Sequence, residues 1–358
     1  MLITGFPDRG RGMTVVFMHI KDITNQPEVW DTFVKQQPHT LFVQSPHYAD
    51  FYRAMGERAW ILGLFRDGEL LGGSLVVSTH AKRGSYLYLP YGPVFDRGAN
   101  NQQIKAIYDY IKELGKKGQY DFIRISPFIQ NATINRQLFQ TLGCRPAPMH
   151  VLAESTWLLD VSPSEEELIA NMNKNHRNLI RRCEREGVRV EHHTDNDALE
   201  RFHKLLDQTA KRHNFHRFSK EYINAEFNSF APHGEALLFE AYLPDGRLDG
   251  SAVIMFYGTM ACYRHSASLN LNPKLPTAYA IQWAVIKEAK RRGIMWYNLW
   301  GVATEGSSPK HPFAGITHFK KGFGGEGMEL LHCHDFPLTI KYLLNWVVES
   351  ARRVRRGF

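Results

Sequence analysis

Near the C-terminal end, Ile316-Thr-His-Phe-Lys-Lys-Gly-Phe-Gly-Gly-Glu326 follows a Trp300-Gly301 break and sets one lysine, Lys320, in a short half-apolar run that ends in a glycine turn. A lysine between Phe319 and Phe323 is in most proteins a strand residue beside a turn; the alternative is a chemical role for its amine. A second candidate is a row of cations, Lys174, Arg177, Arg181 and Arg185, at helical spacing on one face of a segment whose other face carries Leu168, Met172, Leu179, Ile180 and Cys183. A solvated helix face explains such a row about as well as a phosphate-contacting surface does. His332-Cys333-His334 looks metal-like, but on a strand only the two histidines share a side, so no metal site is expected. The four cysteines, Cys144, Cys183, Cys262 and Cys333, are widely spaced without a C-x-x-C, which argues against a disulfide framework or zinc knuckle.

The elements that must position these groups repeat. Asp67-Gly-Glu-Leu-Leu-Gly72 recurs as Asp245-Gly-Arg-Leu-Asp-Gly250, each between alternating apolar runs, so both read as hairpins with an Asp-Gly turn. Ile111-Lys-Glu followed by Lys116-Lys-Gly118 recurs as Ile286-Lys-Glu followed by Arg291-Arg-Gly293. These read as helix ends, with cations in the last turn and glycine just past it. Each feeds an apolar run, Tyr120–Ile125 and Met295–Trp300. The shared order is helices, hairpin, further strand, helix, strand. The cationic row is expected on a single helix from Ser164 to Glu186, opened by a Ser164-x-x-Glu167 capping box and closed at Gly187.

A chain of 358 residues, 43% hydrophobic, suits two ordinary cores. No run approaches the roughly 18 apolar residues a membrane span needs, and the start, Met1 to Gly12, is polar, so the chain is expected in the cytoplasm or at the inner membrane surface. The net charge of +8 favours anionic partners without naming them. A second basic patch, Arg352-Arg-Val-Arg-Arg356, follows an amphipathic stretch with Ile340, Tyr342, Leu343, Leu344, Trp346, Val347 and Val348. The apolar part of that stretch is expected to pack on the first domain, with tRNA or an anionic membrane surface as other occupants.

The doubled order resembles the GNAT N-acyltransferase fold present twice: an α/β (α+β) chain of two tandem GNAT-like domains with mixed central sheets. The expected domains are 1–158, completed by 330–358, and 159–329. A CoA-binding GNAT holds the pyrophosphate in a Q/R-x-x-G-x-G/A turn ahead of a helix. Here the approaches read Asp96-Arg-Gly-Ala-Asn100 and Leu271-Asn-Pro-Lys-Leu-Pro276. CoA is therefore a poor acyl donor for this chain, and an aminoacyl ester of tRNA, which also suits the charge, is the alternative.

Nearly the whole chain resembles the Fem-type (FemX/FemA/FemB) aminoacyltransferases, which add amino acids from charged tRNA to peptidoglycan precursors. Phe319-Lys320 and the glycines after it are similar to the family's F-K-x-x-F-G-G segment, Leu89-Pro-Tyr-Gly-Pro-Val-Phe-Asp96 to its L-P-x-G-P-V-x-D signature, and 168–190 to its helix entering the second domain. The resemblance implies Lys320 and Phe319 as catalytic residues. It implies Tyr91, Arg217, Tyr222 and Tyr263 as contacts to a muramoyl pentapeptide, UDP- or lipid-linked, and Lys174, Arg177, Arg181 and Arg185 as contacts to tRNA. Where the family tends to have a tryptophan and, four residues on, a lysine for the acceptor, this chain has Tyr48 and Tyr52 with Arg53 adjacent. No coiled-coil arm, cofactor or metal is implied, aminoacyl-tRNA being the co-substrate, and a monomer is expected.

The implied reaction is aminolysis of an ester, building the interpeptide bridge of the cell wall. With a reference pKa near 10.4, only about one acceptor lysine in a few thousand is neutral at pH 7, so a proton must be taken. Lys320 has a similar reference value and reads as a cation for the oxyanion or the departing ribose oxygen rather than a base. Asp96 is the nearest motif carboxylate for the base, a turn or cap aspartate being its plain reading; a tRNA hydroxyl or phosphate is the other choice. The rival functions are a CoA-dependent N-acyltransferase, a tandem-GNAT protein acting on another polysaccharide or lipid amine, and a non-catalytic RNA-binding protein.

Overall fold

The computed structural model describes residues 2–3, 18–81, 84–96, 98–213, 215–308 and 313–356; most of the polar start, residues 1–12, lies outside them. The chain divides into two compact units, one of residues 1–154 and 330–358, the other of 155–329. The division falls at 154/155 rather than 158/159, because the strand beginning at Ser155 pairs entirely within the second sheet.

The first unit runs β1 (Leu2–Ile3), β2 (Met18–Asp22), α1 (Pro27–Lys35), α2 (Pro46–Ala54), β3 (Ala59–Arg66), β4 (Glu69–Ala81), β5 (Gly84–Pro90), β6 (Val94–Phe95), α3 (Asn101–Lys117), β7 (Phe122–Ser126), α4 (Thr133–Thr141) and β8 (Arg145–Pro146). The second runs β9 (Ser155–Asp160), α5 (Glu165–Asn171), α6 (Lys174–Arg185), β10 (Arg189–His193), α7 (Asn196–His213), α8 (Lys220–Phe230), β11 (Ala236–Tyr242), β12 (Leu248–Tyr257), β13 (Met260–Ser268), α9 (Thr277–Arg291), β14 (Trp296–Gly301), α10 (Ala314–Lys321) and β15 (Glu326–Glu329). The chain then returns to the first unit with β16 (His334–Pro337) and α11 (Tyr342–Arg356).

The two sheets share one topology. The first has the order β1-β2-β3-β4-β5-β7-β16-β8, with β6 beside β4; the second is β10-β11-β12-β13-β14-β9-β15. In each, an antiparallel hairpin is followed by a third antiparallel strand, a helix, and a strand parallel to that third one. The strand beside that parallel pair is antiparallel in both, β16 in the first unit and β9 in the second. These are two GNAT-like mixed α/β domains.

Local sequence explains the repeated parts. Asp67 and Gly68 sit at φ 50 and 89, the two positive values a two-residue hairpin turn requires. Asn100 and Gln103 close a reciprocal capping box on α3. At the end of α3 the left-handed residue is Gln119, φ 57, rather than Gly118, whereas after α9 it is Gly293, φ 70.

Two expectations fail. The segment 164–186 is two helices: the capping box at Ser164 and Glu167 forms, but Met172 turns extended into the core, and the Asn173 carboxamide accepts the His176 N–H at 2.8 Å to start α6 afresh. A side chain able to cap outcompetes helix continuation. The apolar residues 340–347 do not all pack inward: Ile340, Leu343, Leu344, Trp346 and Val347 are exposed, and only Tyr342 and Asn345 of that stretch are buried.

Candidate functional site

Lys320 lies in the last turn of α10, so the strand alternative for 316–321 is replaced by a helix. It is 4% exposed, and its Nζ donates to the Gly301 carbonyl at 2.6 Å. Nζ also stands 5.9 Å from the centre of the Tyr263 ring. Burial pushes the amine down to about 7, because a low-dielectric site penalises the charged form. This overturns the reason for excluding Lys320 as a base: near neutral pH both of its protonation states are populated.

The residues after Lys320 fix the end of the helix. Phe319 packs edge-on against Tyr279 and Phe323, with ring centres at 5.0 and 5.1 Å, and its carbonyl lies 2.8 Å from His176 Nε2. Any Cβ at Gly322 would run into that imidazole. The Gly322 carbonyl accepts the Asn173 N–H at 2.9 Å, tying the break between α5 and α6 to this turn. Gly325, at φ 86, packs where a Cβ would strike the Leu158 carbonyl of β9. Gly322 and Gly325 thus leave no room for a side chain, the first against the His176 ring and the second against the Leu158 backbone.

Gly301 ends β14, and the sheet opens there. β13 and β14 are paired from Met260–Trp296 to Cys262–Asn298, although the strands run on to Ser268 and Gly301. The corresponding pair in the first unit, β5 and β7, stays in register from Tyr86–Phe122 to Pro90–Ser126. The opening at the C-terminal ends of parallel strands is where open α/β sheets receive ligands. Its edges carry Tyr263 and Arg264 on β13 and Trp300 and Gly301 on β14. Trp300 holds φ 65, a strained value for a bulky residue, with its N–H on the Asn298 carboxamide at 2.8 Å.

Arg264 is the extra residue of a bulge: Tyr263 faces Ile254 and His265 faces Val253, and the register shifts at Arg264. Bulges re-aim side chains next to functional sites. The Arg264 guanidinium forms a fork with the buried Glu226 carboxylate at 2.8 and 3.0 Å, donates to the Tyr222 hydroxyl at 3.2 Å and lies 5.4 Å over the Trp300 ring. His265 Nε2 is 2.8 Å from the same carboxylate. Burial by itself would raise the Glu226 carboxyl, but the Arg264 charge and the His265 hydrogen bond outweigh it and hold it at about 2.

Of the second-unit candidates, the fold therefore brings Tyr263 to the Lys320 amine, packs Phe319 against Tyr279 and Phe323 instead, and places Tyr222 in the adjoining charge network. Arg217 pairs with Asp207 at 2.6 Å, while its neighbour Phe218 stacks on Tyr222 with ring centres 4.7 Å apart. Sequence reasoning missed Arg264, Glu226, Trp300 and His176. Glu226 stands one helical turn beyond Tyr222, a spacing that was available as a signal; Arg264 had none, since a bulge is a property of paired strands.

In the first unit Tyr91 is buried at φ 52, donates to the Ala153 carbonyl at 2.7 Å and meets Phe128 edge-on. Tyr52 is half-buried against Tyr48 and Phe51, and Arg53 reaches Asp50 at 2.7 Å. Asp96 is exposed in the turn between β6 and α3, its carbonyl accepting the Ala99 N–H, which matches its plain turn reading.

The members of the cationic row differ in their contacts. Arg177 folds back onto the Ala170 and Met172 carbonyls, both at 2.7 Å, closing the end of α5. Arg185 pairs with Glu186 at 2.9 Å, while Lys174 and Arg181 are exposed. Arg177 and Arg181 also line a groove of about 780 Å³ together with Trp283, Lys287, Glu165, Glu166 and Glu184, so its charge is mixed. His332, offered by the sequence as metal-like, has its ring nitrogens 2.8 Å from Glu154 and from the Ala147 carbonyl. No helix among the described residues is long and apolar enough to cross a membrane.

Among curated proteins, a lipid II:glycine glycyltransferase of Staphylococcus aureus (strain MRSA252) is 25% identical over 393 residues, covering 88% of this chain and 92% of that protein. Among solved structures, FemX superposes with a TM-score of 0.80 at 20% identity, covering 92% of this chain and 100% of that one. A tandem GNAT protein from the clavulanic acid biosynthesis pathway superposes at 0.56 and 10% identity, covering 90% and 98%. The sequence profile of the FemAB family matches residues 25–247 and 245–352, which together take in most of the chain, its duplicated sheets and the segment around Lys320; the chain belongs to the FemAB family.

Proposed function

We propose that this chain is an aminoacyltransferase that moves an amino acid from aminoacyl-tRNA to an amine of a peptidoglycan stem peptide, the acceptor being a UDP- or lipid-linked muramoyl pentapeptide. The observation that carries the reading is the buried Lys320 amine on the Gly301 carbonyl, at the point where β13 and β14 part. Family membership and the likeness to a protein named for glycyl transfer to lipid II support it.

A lysine poised near pH 7 can both take and return a proton. The acceptor ammonium must lose two protons in all. One leaves to solvent before attack; the free amine then adds to the ester carbonyl, and neutral Lys320 takes the second proton from the new C–N centre. The resulting ammonium stabilises the oxyanion, and as the C–O bond breaks it gives its proton to the ribose oxygen, leaving an amide and a tRNA hydroxyl. Lys320 thereby takes the role considered for Asp96. Tyr263, Tyr222 and Arg217, and in the first unit Tyr91, Tyr52 and Arg53, remain the assignments for acceptor contacts; Lys174, Arg181 and Arg185 remain those for tRNA phosphates, with Arg177 kept structural.

One contact speaks against the CoA alternative. At the start of α9, where a GNAT fold would offer helix N–H groups to a pyrophosphate, the Asp249 carboxylate already accepts the Thr277 hydroxyl and the Leu271 N–H, both at 2.6 Å. A second anion there meets like charge. The test is to incubate the protein with a pool of charged tRNAs and either acceptor, then weigh the acceptor by mass spectrometry. An added amino-acid mass that disappears with uncharged tRNA supports the reading; an unchanged acceptor, or acetylation with acetyl-CoA instead, overturns it.

A further inference from the structure

The C-terminal helix α11 is amphipathic the wrong way round for a helix that covers a domain. Its inward face is polar. Tyr342 donates to the buried Asp335 at 3.1 Å, and Glu349 accepts from Arg124 at 2.7 and 3.1 Å. Arg124 is itself forked onto Asp335 at 2.8 Å through both contacts. This network pins the helix through its polar residues. Its opposite face is apolar: Leu343, Leu344, Trp346 and Val347, with Ile340 one turn earlier at 82% exposed, form one continuous arc at helical spacing.

Cations flank the arc. Lys341 lies between Ile340 and the helix, and the helix ends in Arg352-Arg-Val-Arg-Arg356, of which Arg352 and Arg353 are exposed. The acid of the helix, Glu349, is already held by Arg124. The combination of an outward apolar stripe holding a tryptophan, clustered cations and an interior tether is that of a helix lying in a membrane interface.

We infer that α11 docks this protein on an anionic lipid bilayer, with Leu343, Leu344, Trp346 and Val347 in the headgroup boundary and Lys341, Arg352 and Arg353 on lipid phosphates. The inference concerns where the protein works, not what it transfers, and it stands on geometry and charge that the transfer reaction does not use.

The full chain is sedimented with vesicles of phosphatidylcholine alone and of phosphatidylcholine with phosphatidylglycerol. Binding is expected on the anionic vesicles, lost in high salt. Leu344→Glu with Val347→Glu is expected to weaken it about tenfold or more with an unchanged melting temperature, since both side chains point outward. Arg352→Gln with Arg353→Gln is expected to weaken it about fivefold per charge. Transfer to a water-soluble acceptor should be unaffected in both variants, which separates failure of this inference from failure of the proposed reaction. Absence of binding, equal binding by the Leu344/Val347 variant, destabilisation of that variant, or its loss of a self-association or of tRNA affinity would each overturn the assignment in favour of no partner, the protein's own surface, a second copy or RNA.

Discussion

Replacing Lys320 by methionine tests the buried amine through stability as well as activity. Methionine is an unbranched side chain of similar length that carries no charge. A fall from the ordinary value of 10.5 to about 7 corresponds to about 4–5 kcal/mol of bias against the buried cation. Because the folded-state value lies below the unfolded one, the penalty is full below pH 7 and fades as pH rises from 7 toward 10.5. Between pH 6 and pH 9 the wild type should therefore gain about 2.5 kcal/mol relative to Lys320→Met. The orphaned Gly301 carbonyl costs the variant roughly 1–3 kcal/mol at every pH, so the difference between two pH values, not either one alone, carries the information. Urea unfolding of both proteins at pH 6, 7.5 and 9 provides it. Parallel stability curves would mean that the amine is solvated and would remove the basis for its proton-transfer role. In the transfer assay the same variant should lose about 10²–10³ in kcat, and the wild-type kcat/KM profile should show a limb near pH 7.

The neighbouring contacts give further tests. Glu226→Gln leaves the Arg264 charge buried and should cost about 3 kcal/mol at pH 7; since the Glu226 carboxyl is held at about 2, wild-type stability should drop as pH falls from 4.5 toward 2 and the variant should lack that drop in acid titrations. Gly325→Ala should destabilise by more than about 2 kcal/mol, seen as a lower melting temperature, because both its φ of 86 and the Leu158 carbonyl exclude a Cβ. Asn173→Ala should cost about 1 kcal/mol in denaturant unfolding and Asn173→Gly only a few tenths, the signature of a helix cap.

Some of this was legible in the chain because it is local. An Asp-Gly pair between alternating strands specifies a hairpin in any context, and two such hairpins at matching offsets announced the duplicated fold. Ser164 and Glu167, three residues apart, specify a helix start. Lys320 and Phe319 stood out because a lysine rarely sits between two phenylalanines ahead of paired glycines.

What the tertiary structure decided depends on atoms far apart in sequence. The amine of Lys320 loses its ordinary basicity only because α10, β13 and the end of β14 exclude water from it, and no spacing of residues reports desolvation. Arg264 became a site residue through a strand register, and Arg177 left the cationic row because a helix broke at Asn173. The hydrophobic pattern of 340–348 says that the helix has two faces. Which of them turns inward was settled by Arg124, more than 200 positions earlier, whose buried charge requires Asp335 and Glu349 and so leaves the apolar side facing out.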